Sequence, residues 1–226
     1  MNPSEHAMRP ATRIQTQIAL ALLVALAALA GCQTVKYRTL EAFGVEKRDI
    51  LSDNVESARD AQDDAKEQFS SALEQFRATV AFDGGELEDL YDNLNRSYER
   101  SVKDADRVRQ RIDKVRNVAE DLFDEWANEL DDYESADLRR RSRELMQETQ
   151  NRYERMIAAM ERAEATMDPV LQAFQDQVLF LKHNLNARAI SALGDELDSI
   201  ESDTEALVAA MNEAIAEADA FIQTLE

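Results

Sequence analysis

The sequence predicts an all-α fold: long antiparallel coiled-coil helices forming an elongated three- to four-helix bundle with a projecting two-helix tip. Three observations predict it. The 226 residues include only 5 Gly and 3 Pro, with aromatics at 6%, while Ala, Glu, Asp, Leu, Arg and Gln are abundant, so the chain is made of helix formers. Apolar residues recur at alternating spacings of four and three, the pattern of a buried helix seam. The seams break at a few short places rich in Gly, Ser or Asn, where helices must end. A hydrophobic share of 44% lets such a chain fold, and its 32% of charged residues belongs on exposed helix faces. The net charge of −20 makes nucleic acid an unsuitable partner, because binding it requires Lys and Arg to neutralise phosphates.

At the amino terminus, Arg9 and Arg13 precede the uncharged apolar run from Ile18 to Ala30. This run is shorter than the roughly 20 residues a helix needs to span a bilayer, and it has the length and flanks of a signal-peptide core. Leu29-Ala30-Gly31-Cys32 resembles the lipobox of bacterial lipoproteins. That resemblance implies cleavage between Gly31 and Cys32, diacylglycerol on the Cys32 thiol and acylation of the new amino group. Cys32 is the only cysteine, so it has no intramolecular disulfide partner. An ordinary secreted protein with a leftover thiol is the plainer alternative. Two or three acyl chains give stable anchoring where one is marginal. Gln33 stands where many inner-membrane lipoproteins carry Asp, so the same resemblance points to the periplasmic face of the outer membrane. The expected domains are a signal peptide at 1–31, the lipidated cysteine and linker at 32–45, and a helical coiled-coil domain at 46–226.

After a linker carrying Tyr37, Leu40 and Phe43, a first series runs through Leu51, Val55, Ala58, Ala65, Phe69, Ala72 and Phe76, with Gln62 filling one seam position. It stops at Phe82-Asp83-Gly84-Gly85, where two glycines permit a tight turn. A second series, Tyr91, Leu94, Tyr98, Ala105, Val108, Ile112, Val115, Ala119, Leu122, Trp126 and Tyr133, predicts a helix about 70 Å long at 1.5 Å per residue. Ser135 is placed to cap the next helix. The third series is Leu138, Leu145, Thr149, Met156, Met160, Ala163, Met167, Val170, Phe174, Val178, Leu181 and Leu185. A fourth, out of phase with it, runs from Ile190 to Leu225 after a slip at Asn184-Leu185-Asn186-Ala187, read as a turn or sharp bend, with an unbroken helix as the rival. Turns near 84, 135 and 187 leave residues 121–150 as the two-helix tip. The register also sets the acidic stretch Ala189 to Glu226 beside the basic stretch Arg96 to Arg116.

The run Leu138-Arg139-Arg140-Arg141-Ser142-Arg143 opens a helix, where the macrodipole disfavours positive charge. Pairing with Asp131, Asp132 and Glu134 across the turn is one reading. The other is a candidate interaction tip of Phe123, Trp126, Arg139, Arg140, Arg141 and Arg143, in which the arginines meet anionic phospholipid or an acidic partner and the aromatics serve as apolar anchors. Val178-Leu179-Phe180-Leu181 reads as a helix buried on all sides, with a pocket around His183, Asn184 and Asn186 as the alternative. Asp168-Pro169 reads as a kink. No cofactor or metal is expected: the acidic last helix lacks the Gly-centred loop of an EF-hand, and no glycine lies in a phosphate-cradling pattern.

The chain resembles domain of unknown function family 2959 in Val45-Glu46-Lys47-Arg48-Asp49-Ile50, Ala58-Arg59-Asp60-Ala61-Gln62, Phe82-Asp83-Gly84-Gly85, Leu122-Phe123-Asp124-Glu125-Trp126, Met167-Asp168-Pro169-Val170 and Gln177 through Ala187. The resemblance spans roughly residues 36–224. It implies an α-helical envelope protein and brings no catalytic residues. Some members carry a DNA repair ATPase label; the export signal, the acidity and the missing phosphate loop all argue against that activity here. The expectation is a non-enzymatic scaffold or adaptor, membrane-bound through its lipid anchor, with an envelope protein partner or self-association.

Overall fold

The computed structural model describes residues 47–81, 84, 87–184, 186 and 190–225, and the backbone alone of 187–189. The expected signal peptide, the Gly31–Cys32 junction and the linker lie outside these residues, as do Phe82, Asp83, Gly85 and Leu185. Among the described residues the fold is all-α. The elements are α1 (Lys47–Val80), α2 (Leu87–Glu129), a 3-10 turn (Leu130–Asp132), α3 (Ala136–His183), α4 (Ala187–Leu193), a second 3-10 turn (Gly194–Glu196) and α5 (Leu197–Leu225). Four are long, at 34, 43, 48 and 29 residues for α1, α2, α3 and α5.

The helices begin and end where local chemistry directs them. Ser135, in extended backbone, accepts a hydrogen bond from the Leu138 amide at 3.3 Å, and Asp137 places a carboxylate in the first turn of α3, where the helix dipole favours it. At the other end, Asn184 leaves helical geometry. Its backbone amide donates to the Leu181 carbonyl at 3.1 Å and its side chain to the Phe180 carbonyl at 2.9 Å, satisfying two acceptors that the helix end exposes. The slip at 184–187 is therefore a helix end. α3 continues through Pro169, which supplies no amide to the Ala165 carbonyl.

The seam residues form the core. Leu51, Val55, Ala58, Ala65, Phe69, Ala72 and Phe76 of α1 are buried, and so are the α3 residues from Met156 to Leu181 that the third series names. Phe76 and Phe174 meet with ring centroids 6.4 Å apart, joining α1 to α3. Polar contacts show how neighbours align. Arg59 pairs with Asp219 at 3.0 Å and Arg77 with Glu201 at 2.6 Å, so contacts climb α1 as they descend α5. Hydrogen bonds to carboxylates on either side, Asp60 first and Asp219 second, raise the Arg59 pKa above its ordinary value. Arg107 reaches Asp64 at 3.3 Å, linking α2 to α1, while Arg116–Glu161 at 2.8 Å links α2 to α3 and Arg162–Glu213 at 2.6 Å links α3 to α5.

Three expectations need correction. First, no ion pair joins α2 to α5 among the described residues: arginines of α1 and α3 meet the acidic last helix, and the basic stretch of α2 meets carboxylates on α1 and α3 instead. Second, the α2 seam passes through Ser97 and Ser101, both buried, while Tyr98 is only half-buried. Third, the fourth series is split at Gly194, where an added Cβ would meet Val80 Cγ1 at 3.4 Å, so this break passes close to the end of α1.

Gln62 is fully buried in the α1 seam, and neither its amide nitrogen nor its carbonyl oxygen has a hydrogen-bond partner among the described residues. A buried polar group left unpaired costs about 1–3 kcal/mol. Gln62→Leu should therefore raise stability by about 1–2 kcal/mol, read as a higher urea midpoint at unchanged slope.

Candidate functional site

The region that stands apart chemically is the end of the α2–α3 hairpin. Its link turns through Leu130–Asp132, with Leu130 buried, and then Tyr133 in extended backbone. The Arg139 guanidinium donates to the Tyr133 carbonyl at 2.6 Å, and Arg140 pairs with Asp137 one turn back at 2.9 Å. These bonds hold two arginines at a helix start that would otherwise repel them. The expected pairs with Asp131, Asp132 and Glu134 do not form. Those carboxylates are exposed on the turn, and Arg141 and Arg143 stay exposed with no ion pair among the described residues.

The aromatic members of the expected tip are not its exposed apolar groups. The Phe123 ring lies 5.6 Å from Tyr153, which lies 6.2 Å from Phe221, so Phe123 belongs to a cluster tying together α2, α3 and α5. The Trp126 indole donates to Ser142 Oγ at 2.9 Å, fixing α2 against α3. The exposed large apolar side chains are Leu138 and Leu145, 53% and 55% accessible, although both belong to the seam series of α3. Leu145 also forms part of the wall of a niche of about 210 Å³, lined besides by Arg48, Leu122, Trp126, Thr224 and Leu225. The niche brings the start of α1 and the end of α5 level with the middle of the hairpin.

At 3.6 residues per turn, Leu138 and Leu145 lie within about 20° of each other around α3, and Arg141 lies about 60° from Leu138. Arg139, Arg140 and Arg143 are each about 100° or more from Leu138 on the same helix. The site therefore offers an apolar strip with one unpaired arginine on its flank, and three further arginines pointing elsewhere.

The other sequence candidates come to less. Val178 and Leu181 are buried, but Leu179 and Phe180 are 44% and 40% accessible, because residues one and two positions on from a seam residue turn to the opposite side. His183 is exposed, and Asn184 is occupied in capping α3. Among the described residues no three His, Cys, Asp or Glu side chains are grouped to hold a metal ion, and no helix is long and apolar enough to cross a membrane.

Burial beside Phe123 and Phe221 pushes the Tyr153 phenol up to about 12 from its ordinary 10.0. The folded state then holds this proton more tightly than the unfolded chain. Its contribution is complete below about pH 10 and is lost as pH rises toward 12. Tyr153→Phe should remove that part of the alkaline loss, seen as a smaller drop in urea midpoint between pH 9.5 and about 11.5.

No curated protein matches the chain, and no solved structure does. The profile of one family matches residues 36–225, under the description "Protein of unknown function (DUF2959)". With that match covering most of its length, the chain belongs to the DUF2959 family.

Proposed function

We propose that this chain is a membrane-anchored periplasmic lipoprotein that acts as a non-enzymatic envelope scaffold or adaptor through protein–protein contacts. In this reading Cys32 carries the lipid, on the periplasmic face of the outer membrane. The long helices form an elongated antiparallel coiled-coil bundle, and the α2–α3 end projects from it as a two-helix tip. The motif Leu29-Ala30-Gly31-Cys32 supports the anchor. The observation that carries the scaffold reading is the exposed continuation of a core seam: Leu138 and Leu145 stand in line with Met156 and Met160, which are fully buried. A helix presenting apolar seam positions to solvent is suited to receiving another helix.

Binding of anionic phospholipid by an Arg-rich tip is the rival, and the same geometry weakens it. Arg139, Arg140 and Arg143 do not share the leucine face. Residues 121–150 contain ten acidic residues against four arginines, which an anionic surface repels.

Fractionation of cells producing the full chain tests the anchor. The processed protein should sediment with membranes, and Cys32→Ser should stay unprocessed at Gly31 and lose the lipid-dependent share of membrane retention. Unchanged processing and retention in Cys32→Ser would overturn the anchor.

A further inference from the structure

We propose that the exposed α3 strip is a docking face for a second copy of this chain, α3 against α3 in opposite directions. This deepens the scaffold reading and rests on it. Two features of α3 make the strip self-complementary.

The first is the seam. Leu138, Ser142, Leu145 and Thr149 follow spacings of four, three and four, which is the heptad pattern continued toward the helix start. Leu138 and Leu145 are its exposed members, while Ser142, half-buried and accepting from Trp126 at 2.9 Å, forms the edge of the strip next to α2. In a two-fold pair, if Leu138 lies over Thr149 of the second copy, then Ser142 lies over its Leu145, and the reverse pairs follow by symmetry. Both exposed leucines are then covered by one contact.

The second is the flank of that seam, occupied by Asp137, Arg141, Glu144 and Glu148. The outer two are already neutralised within the chain: Asp137 by Arg140 at 2.9 Å and Glu148 by Arg152 at 2.6 Å. The inner two, Arg141 and Glu144, are exposed, opposite in sign and without an ion pair among the described residues. In the register set by the leucines, Arg141 of one copy falls between Glu144 and Glu148 of the other, twice over. Charges flanking an apolar seam in this way select partner and direction. An anionic bilayer offers no such match, since the other three arginines point away from the leucines. The contact spans about three helical turns, which places it among weak interfaces that depend on high local concentration. Confinement of the chain to a membrane surface supplies that concentration.

The test uses the full chain in cells, with a benzophenone amino acid in place of Leu145 and illumination to capture what touches it. The expected product is a conjugate of twice the chain's mass containing only this chain. Arg141→Glu should lower its yield by about tenfold, and adding Glu144→Arg and Glu148→Arg to that variant should restore it. Rescue by the triple change separates lost pairing from lost folding. Three results would overturn the proposal: no conjugate of double mass, a conjugate with a different polypeptide, or a double-mass conjugate indifferent to Arg141→Glu. A conjugate with a different polypeptide overturns self-docking alone and leaves the scaffold reading standing, whereas failure of membrane retention is read separately at Cys32.

Discussion

The apolar seam of α3 is longer than the helices available to cover it, and the character of the molecule follows from that mismatch. α3 has 48 residues and α2 has 43, while α1 and α5 have 34 and 29. From Met156 to Leu181 the seam is covered and its residues are almost fully buried. Each large side chain buried there is worth about 1.5–3 kcal/mol. Many seam positions are alanine, such as Ala58, Ala65, Ala105, Ala163, Ala214 and Ala218, and the close backbone approaches are those of α3 to α5 and of α3 to α2. Beyond the ends of the shorter helices the same periodicity goes on, and Leu138 and Leu145 meet solvent.

The polar residues buried in the seams of α1, α2 and α5 divide into two kinds. Thr79 and Thr204 each donate to a carbonyl one turn earlier, at 2.8 and 2.7 Å, and Ser101 does the same to Ser97 at 3.1 Å. These hydroxyls satisfy themselves locally and act as small space-fillers. Gln62 does not, nor does the Ser97 hydroxyl among the described residues, and a polar residue at a seam position is a known way to fix register at some loss of stability. The ion pairs between helices add alignment more than strength: most involve exposed side chains, each worth about 0–1 kcal/mol. The seams hold the helices together and the charges keep them in register.

Much of this was legible in the sequence. The alternation of four and three located the long helices and most of the buried residues. Gly84-Gly85, Ser135 and Asn184 marked helix ends because each has a specific chemical reason to stop a helix. Leu73, Val118, Leu130 and Leu171 are buried outside the four series, and other features that escaped are ones that hydropathy does not encode. Ser97 and Ser101 are small enough for the core, whereas the apolar pattern runs through Tyr98, which is only half-buried. The break at Gly194 lies beside Val80, a neighbour far away in the sequence. Leu138 and Leu145 look like core residues because periodicity reports which way a side chain points on its helix, not whether another helix reaches it. The arginine run differs from the expected pairing for a local reason: Asp137 lies one helical turn before Arg140 and the Tyr133 carbonyl is within reach of Arg139, while Asp131, Asp132 and Glu134 remain exposed.

The candidate site and the core are thus one feature, a helix seam with and without its cover. The most direct measurement is amide hydrogen exchange along α3 in the full chain at low concentration. Covered helix should open only with much of the fold, whereas helix with an open seam opens locally. The account predicts protection across residues 156–178 and exchange at least about a hundredfold faster across 138–147. Equal protection along the whole of α3 in dilute solution would contradict it, because the seam would then be covered throughout.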